Sequence, residues 1–168
     1  MKTTRRQFLG YIGAAGLGAT LAPIHAGHAA ESAPGVDLVF AAINDTHVVD
    51  EASTAFLDEA VRRINATPNL AFTLMLGDLS ADAKPREFEI AKAHLDKLAK
   101  PYFYLPGNHD VRPEGEHPYA NYDQFFPERQ WCRRFQNWVF LGIDTCERTA
   151  SDVTLPPNRV DWIRSQLK

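Results

Sequence analysis

The 168-residue sequence is 45% hydrophobic and 23% charged, a balance that suits one packed globular domain. Its formal charge of −3 leaves no electrostatic footprint for a nucleic-acid polymer, so a small anionic ligand would need metal ions rather than a basic surface to offset its charge. There is no internal repeat and, beyond the first thirty residues, no low-complexity segment.

Residues 1–30 are kept out of the fold. Lys2, Arg5 and Arg6 form a basic start, and a Gly/Ala-rich apolar stretch runs from Phe8 to Ala22. Small residues then lead to a cleavage site near Gly27-His28-Ala29-Ala30. The order Thr4-Arg5-Arg6-Gln7-Phe8-Leu9 resembles a twin-arginine export signal. That resemblance implies a folded passenger handed to the twin-arginine translocase and a periplasmic or secreted location. The apolar run is short for a membrane span of about 20 residues. Residues 31–168 are then read as one domain.

From Val36 to Ile43 the chain is nearly all apolar, as in a strand covered on both faces, and it ends in Asn44-Asp45-Thr46-His47. Ser53 or Thr54 is the expected cap of a helix reaching Asn65, with Phe56, Leu57, Ala60, Val61 and Ile64 on its apolar face. Leu70 to Leu76 is the second strand and delivers Gly77-Asp78. A loop with Pro85 opens a second helix lined by Phe88, Ala91, Leu95 and Leu98; Pro101 stops it, and Tyr102 to Leu105 forms a third strand. The order β-α-β-α-β argues for a parallel sheet with crossover helices.

Beyond Asp110 the pattern changes. Pro113, Gly115 and Pro118 mark an irregular loop, and Tyr119 to Phe126 holds a short helical turn. Residues 131–135 and 138–144 form a hairpin turning at Gln136-Asn137. Its register sets Cys132 opposite Leu141, which leaves Cys146 too far along the chain for a disulfide. Leu155-Pro156-Pro157-Asn158 opens a last helix with Val160, Ile163 and Leu167 on one face. Trp131, Trp138 and Trp162 are expected in the core. His94, among Lys92, Asp96 and Lys97, is expected in solvent, as is His117 in its loop.

The chemistry gathers at three strand ends. Ligands of open α/β sheets bind beyond the carboxyl ends of the strands. Asp45 and His47 sit two apart, so in an extended segment both side chains point the same way. A carboxylate with an imidazole suits Mn, Fe or Zn better than Ca or Mg. Asp78 follows a glycine, which lets the backbone approach closely. The third end, Pro106-Gly107-Asn108-His109-Asp110, supplies a neutral oxygen, an imidazole and a carboxylate, and Asp110 is expected to fix the His109 tautomer.

Together these motifs resemble the calcineurin-like metallophosphoesterases: Asp45-x-His47, Gly77-Asp78 and Gly107-Asn108-His109-Asp110, followed by Leu141-Gly142-Ile143-Asp144-Thr145 and a helix with Val160-Asp161-Trp162-Ile163. The resemblance implies an αββα sandwich of two mixed β-sheets. It implies two divalent transition metal ions, with Asp45, His47 and Asp78 on the first and Asp78 with Asn108 on the second. His109 would be the general acid, steadied by Asp110, and attack on phosphorus would be direct and in line, by a metal-bridging hydroxide. The substrate class leans towards phosphodiesters such as cyclic nucleotides, with phosphomonoesters as the alternative within the superfamily.

Two departures from the family pattern stand out. Ala81 occupies the position where purple acid phosphatases carry a tyrosine, so an iron–tyrosinate centre is not expected. The family's later histidine motifs, including Gly-His-x-His, do not occur in these 168 residues. The domain is accordingly expected to stop before its second sheet is complete, and a poorly active fragment or a non-catalytic metal-binding remnant competes with the enzyme. A serine hydrolase built on Ser80 is a further alternative, although no Gly-x-Ser-x-Gly elbow is present.

Overall fold

The structure is a computed structural model that describes residues 38–112, 115–147 and 149–168. The export signal, the first residues of the expected first strand and Pro113 lie outside the described residues. Strand β1 (Val39–Ile43) is followed by a 3-10 turn (Glu51–Thr54), helix α1 (Ala55–Ala66), β2 (Leu70–Leu76), α2 (Pro85–Leu95) and β3 (Tyr102–Leu105). The three strands are parallel in the order β1-β2-β3, with Ala41 beside Thr73 and Leu74 beside Phe103. This is the β-α-β-α-β unit expected of the sequence.

Thr54 is the N-cap position of the first helix, within the expected pair. Its hydroxyl donates to the Glu51 carbonyl at 2.8 Å and makes no capping bond. The capping bonds belong to the 3-10 turn before it. There Asp50 is the cap: its Oδ1 accepts the Ser53 N–H at 3.0 Å, while Ser53 Oγ takes the Asp50 N–H at 3.1 Å. Ser53 is the reciprocating partner of this capping box. In α2, Pro85 takes the first position, where its missing N–H costs nothing. The buried Glu87 reaches back to accept the Asp82 N–H at 2.8 Å.

The two faces of the parallel sheet bury different sets of side chains. On one face Met75 joins Leu57 and Val61 of α1 and Phe88, Ile90, Ala91 and Leu95 of α2, with Tyr102 and Tyr104 packed against them. Phe56 is not part of this face; it is 67% exposed, because the inward stripe of α1 runs through Leu57 and Val61. His94 reverses the expectation of a solvated residue. It lies one turn beyond Ala91 on the inner stripe of α2 and is buried, with Nδ1 2.5 Å from Asp58 Oδ1 and Nε2 3.3 Å from Glu51 Oε2. Lys97 Nζ also reaches Asp58 Oδ1, at 3.2 Å, so the cluster ties α1 and the preceding turn to α2.

The other face is aromatic. A short helix α3 (Ala120–Asp123) leads to the hairpin β4 (Gln130–Phe135) and β5 (Trp138–Ile143), which turns at Gln136-Asn137 and pairs Cys132 with Leu141 as expected. Phe72 is fully buried, 4.3 Å from the Phe135 ring and 5.0 Å from the Phe140 ring between centroids. Phe103 packs on Trp131 at 5.5 Å. The Trp131 ring lies across Gly142, its partner in the hairpin, where a Cβ would collide, and its Nε1–H donates to the Tyr104 carbonyl at 2.8 Å. Trp138, beside the turn, is 61% exposed rather than in the core.

Beyond the hairpin come β6 (Cys146–Glu147), β7 (Ala150–Val153) and α4 (Pro157–Gln166). Helix α4 buries no residue completely; Val160 and Ile163 are half-buried and Leu167 is exposed. It meets the hairpin through Arg134 Nη2, which donates to the Gln166 carbonyl at 2.7 Å. Among the described residues the first sheet is parallel and the hairpin antiparallel, consistent with part of the expected αββα sandwich. Both cysteines are free thiols. No helix among the described residues is long and apolar enough to cross a membrane. Because Phe72 contacts rings from both layers, Phe72→Ala is expected to lower stability by about 3–5 kcal/mol, as read from urea unfolding.

Candidate metal centre and active site

The loops after β1 and β2 run side by side and keep a ladder of backbone bonds. Asp45 N–H donates to the Gly77 carbonyl at 3.1 Å, His47 N–H to Asp78 at 2.9 Å and Val48 N–H to Leu79 at 2.9 Å. Neither loop is extended. Asp45, His47 and Asp78 have φ of 57°, 43° and 53°, left-handed conformations that are uncommon outside glycine. The expected alternation of an extended segment is therefore not what brings Asp45 and His47 together; two left-handed residues are. Such strain at neighbouring residues is typical of sites where geometry serves function.

Two glycines let the third strand end close on the second. Gly77, at φ 100°, lies against Gly107, and a Cβ on Gly77 would sit 2.7 Å from Gly107 Cα and N. A Cβ on Gly107 would fall on the Asp78 carboxylate. This close approach lets Asp78 Oδ1 accept the His109 N–H at 3.0 Å. The other oxygen, Oδ2, faces His47 Nε2 at 3.9 Å, and His47 Nε2 lies 3.6 Å from Asp45 Oδ1. Asn44 Nδ2 donates to Asp45 Oδ2.

The His47 and His109 rings meet edge to face with centroids 4.6 Å apart. Ligand atoms of His47, Asp78 and His109 all lie within 4.8 Å of one another. The His47–carboxylate separations exceed a hydrogen bond. Two ligands of one tetrahedral cation, each about 2.1 Å from it, stand about 3.4 Å apart, close to these spacings. Imidazole with carboxylate is also a donor set that suits a divalent transition metal. The residues present fit such an ion.

Asp110 differs from the expectation. Its carboxylate is fully buried and does not face the His109 ring. Oδ2 accepts the N–H groups of Leu79 at 3.1 Å and Gly107 at 2.9 Å; Oδ1 accepts the Ser80 N–H at 2.8 Å and the Ser80 hydroxyl at 3.0 Å. Burial pushes its pKa up to about 6, against the pull of these donors. The partner of His109 Nδ1 is the Ala81 carbonyl, at 2.8 Å. A carbonyl only accepts, so Nδ1 carries the proton of this bond and Nε2 is the ring nitrogen left for other partners. Ser80 is fully buried with its hydroxyl committed to Asp110, which removes the serine-hydrolase reading.

Asn108, His109, Ala81, Asp82, Val111 and Thr149 line a cleft of about 280 Å³. The structure thus gathers His47, Asp78 and His109 into one cluster, with Asp45 beside His47 and Asn108 in the adjoining cleft. Asp110 stands behind them as a brace. His117 is an exposed loop residue, as expected. Two supports were not seen in the sequence, the carbonyls of Ala81 and Thr149, because a backbone group carries no residue signature. Asp144 was legible only as part of a motif; it is buried and bonded to Arg129 Nη1 at 3.0 Å.

The calcineurin-like phosphoesterase family profile matches residues 38–166. The chain belongs to that family and has its α/β fold. Among relatives, it is 30% identical over 118 residues to a 3',5'-cyclic-nucleotide phosphodiesterase of Nostoc sp., covering 68% of this chain and 42% of that protein. It is 20% identical to a probable glycerophosphodiester phosphodiesterase of Arcobacter nitrofigilis over 77% of this chain and 52% of that one. A probable cyclic nucleotide phosphodiesterase of Synechococcus sp. is 28% identical over 56% of this chain and 36% of its own length. The chain spans about half the length, or less, of these relatives.

Gly107 has φ −102°, which any residue adopts, so its role is space rather than conformation. Gly107→Ala is expected to displace the Asp78 carboxylate and weaken Mn²⁺ binding by about 10–100-fold in a calorimetric titration.

Proposed function

We propose that this domain hydrolyses phosphoesters, with a leaning towards phosphodiesters such as cyclic nucleotides. The observation that carries the reading is the convergence of His47, Asp78 and His109 at the ends of three adjacent parallel strands. Asp45, His47 and Asp78 would hold one divalent Mn, Fe or Zn ion, and Asp78 with Asn108 a second. Bound ions of this kind supply Lewis-acid stabilisation of charge on the phosphoryl oxygens and lower the pKa of water. The diester leaning is supported by the three relatives, a 3',5'-cyclic-nucleotide phosphodiesterase, a probable cyclic nucleotide phosphodiesterase and a probable glycerophosphodiester phosphodiesterase.

The chain's own contribution is positioning and proton transfer. Asp78 is anchored through one oxygen to the His109 backbone, and its other oxygen faces His47 Nε2. His109 holds its Nδ1 proton on the Ala81 carbonyl, and in its protonated state presents Nε2–H to the departing oxygen. Water attacks phosphorus from the opposite side and gives up a proton to solvent; the P–O bond to the leaving group breaks as the new one forms, and the departing oxygen takes the proton from His109. No covalent phosphoenzyme is required.

A second reading has its own observation. His109 lies within ligand distance of His47 and Asp78, so it could instead complete the coordination of the ion. His109→Ala separates the two. As general acid, its loss lowers turnover of bis-p-nitrophenyl phosphate by about 10²–10⁴-fold at near-normal metal content, and more for poorer leaving groups. As ligand, it takes the metal with it. The same assay, run beside p-nitrophenyl phosphate with added Mn²⁺, tests the function itself. Absence of turnover with one or no bound equivalent would favour the metal-binding remnant.

We also propose export through the twin-arginine pathway, supported by Arg5-Arg6 and the mild apolar stretch that follows. Changing both arginines to lysine is expected to hold the precursor in the cytoplasm. Normal periplasmic accumulation of the variant, measured by fractionation, would refute it.

A further inference from the structure

Asn108 enters the cleft with one end of its amide committed. Its Nδ2 donates to the Thr149 carbonyl at 3.3 Å. A carbonyl only accepts, so the nitrogen end must face Thr149, and Oδ1 is the end left for a cation. Ahead of Thr149 in the chain lies a half-buried cluster around the buried Asp144 carboxylate. The Asp144 carboxylate accepts Arg129 Nη1 on Oδ2 at 3.0 Å. On Oδ1 it accepts the Tyr119 hydroxyl at 3.3 Å and the Cys146 N–H at 3.0 Å. Arg129 lies 3.9 Å over the Tyr119 ring and donates through Nε to Asp123 Oδ1 at 3.0 Å. The Cys146 thiol then donates to the Pro106 carbonyl at 3.3 Å. The chain leaving β5 is therefore turned at Asp144 and held against the Pro106–Asn108 segment at two points, Cys146 and Thr149.

We propose that Asp144 is a positioning residue for the metal centre: by directing Cys146 and Thr149 onto the Pro106–Asn108 segment, it fixes which end of the Asn108 amide is available to the ion. The inference rests on the reading of Asn108 as a ligand. It assigns Asp144 no contact with substrate or metal. Its action passes through a backbone carbonyl, so it is visible only as a coupling between Asp144 and Asn108.

A double-mutant cycle read by Mn²⁺ titration of the full chain measures that coupling. Asp144→Asn preserves shape but turns an NH₂ towards the donors now bound by the carboxylate. Its expected effect is about a tenfold loss of Mn²⁺ affinity, in the range for groups that orient a ligand. In an Asn108→Ala background the same change is expected to add less than about twofold. Equal losses in both backgrounds, or none in either, overturn the proposal. The Asn108 side-chain amide resonances, assigned by their disappearance in Asn108→Ala, give a readout that does not need metal. They are expected to move from dispersed positions towards those of a free amide in Asp144→Asn; unchanged resonances in the folded variant also overturn the proposal. Should the wild-type chain bind no Mn²⁺ while these resonances respond, the metal reading fails and the positioning role stands. If Asp144→Asn does not fold, Tyr119→Phe, which removes only one donor from Asp144, goes through the same cycle under the same criteria.

Discussion

The buried carboxylate of Asp110 receives N–H groups from Leu79, Ser80 and Gly107 and the hydroxyl of Ser80, and these bonds join the end of β2 to the end of β3. A buried charge is tolerated only when it is well hydrogen-bonded, and four donors meet that condition. The rest of the site depends on this junction. It holds Gly107 against Gly77, and that approach sets Asp78 under the His109 amide. His109 then stands edge-on to His47, which the β1 loop delivers through its own ladder to the β2 loop.

The three left-handed residues belong to the same economy of space. Asp45, His47 and Asp78 each adopt a backbone conformation that costs energy for a residue with a Cβ. The surrounding bonds over-determine it: the ladder from Asp45 to Leu79 fixes both loops, and Thr46 Oγ1 adds a bond to the Leu79 carbonyl at 3.1 Å. The helix-facing core beneath, from Val48 to Leu79 and Phe88, gives these loops a rigid base. Packing therefore supports strain, and strain points ligands into one cluster.

Much of this was legible in the sequence, for reasons that can be traced to particular residues. Continuous apolar runs bounded by Pro101 and by Gly77 place β2 and β3 to the residue, because a buried parallel strand needs apolar side chains on both faces. The hairpin register followed from its Gln136-Asn137 turn. Motif spacing located His47, Asp78 and His109. What the sequence concealed is what depends on depth and on backbone. His94 looked solvated among charged neighbours, yet helical periodicity carries it inward beyond Ala91. Asp110, adjacent to His109 in the chain, was assigned to the ring beside it, but a 3-10 turn rotates it into the interior, where backbone donors claim it.

The supports from Ala81 and Thr149 have a consequence for how the protein can vary. Each acts through its carbonyl oxygen, on His109 and on Asn108, so the side chain at either position is free to change while the path of the chain is not. A substitution scan would pass over both. A one-residue insertion or deletion in either loop would carry the oxygen away from its partner without altering a single recognisable motif residue. Length, more than identity, is the heritable property of these loops.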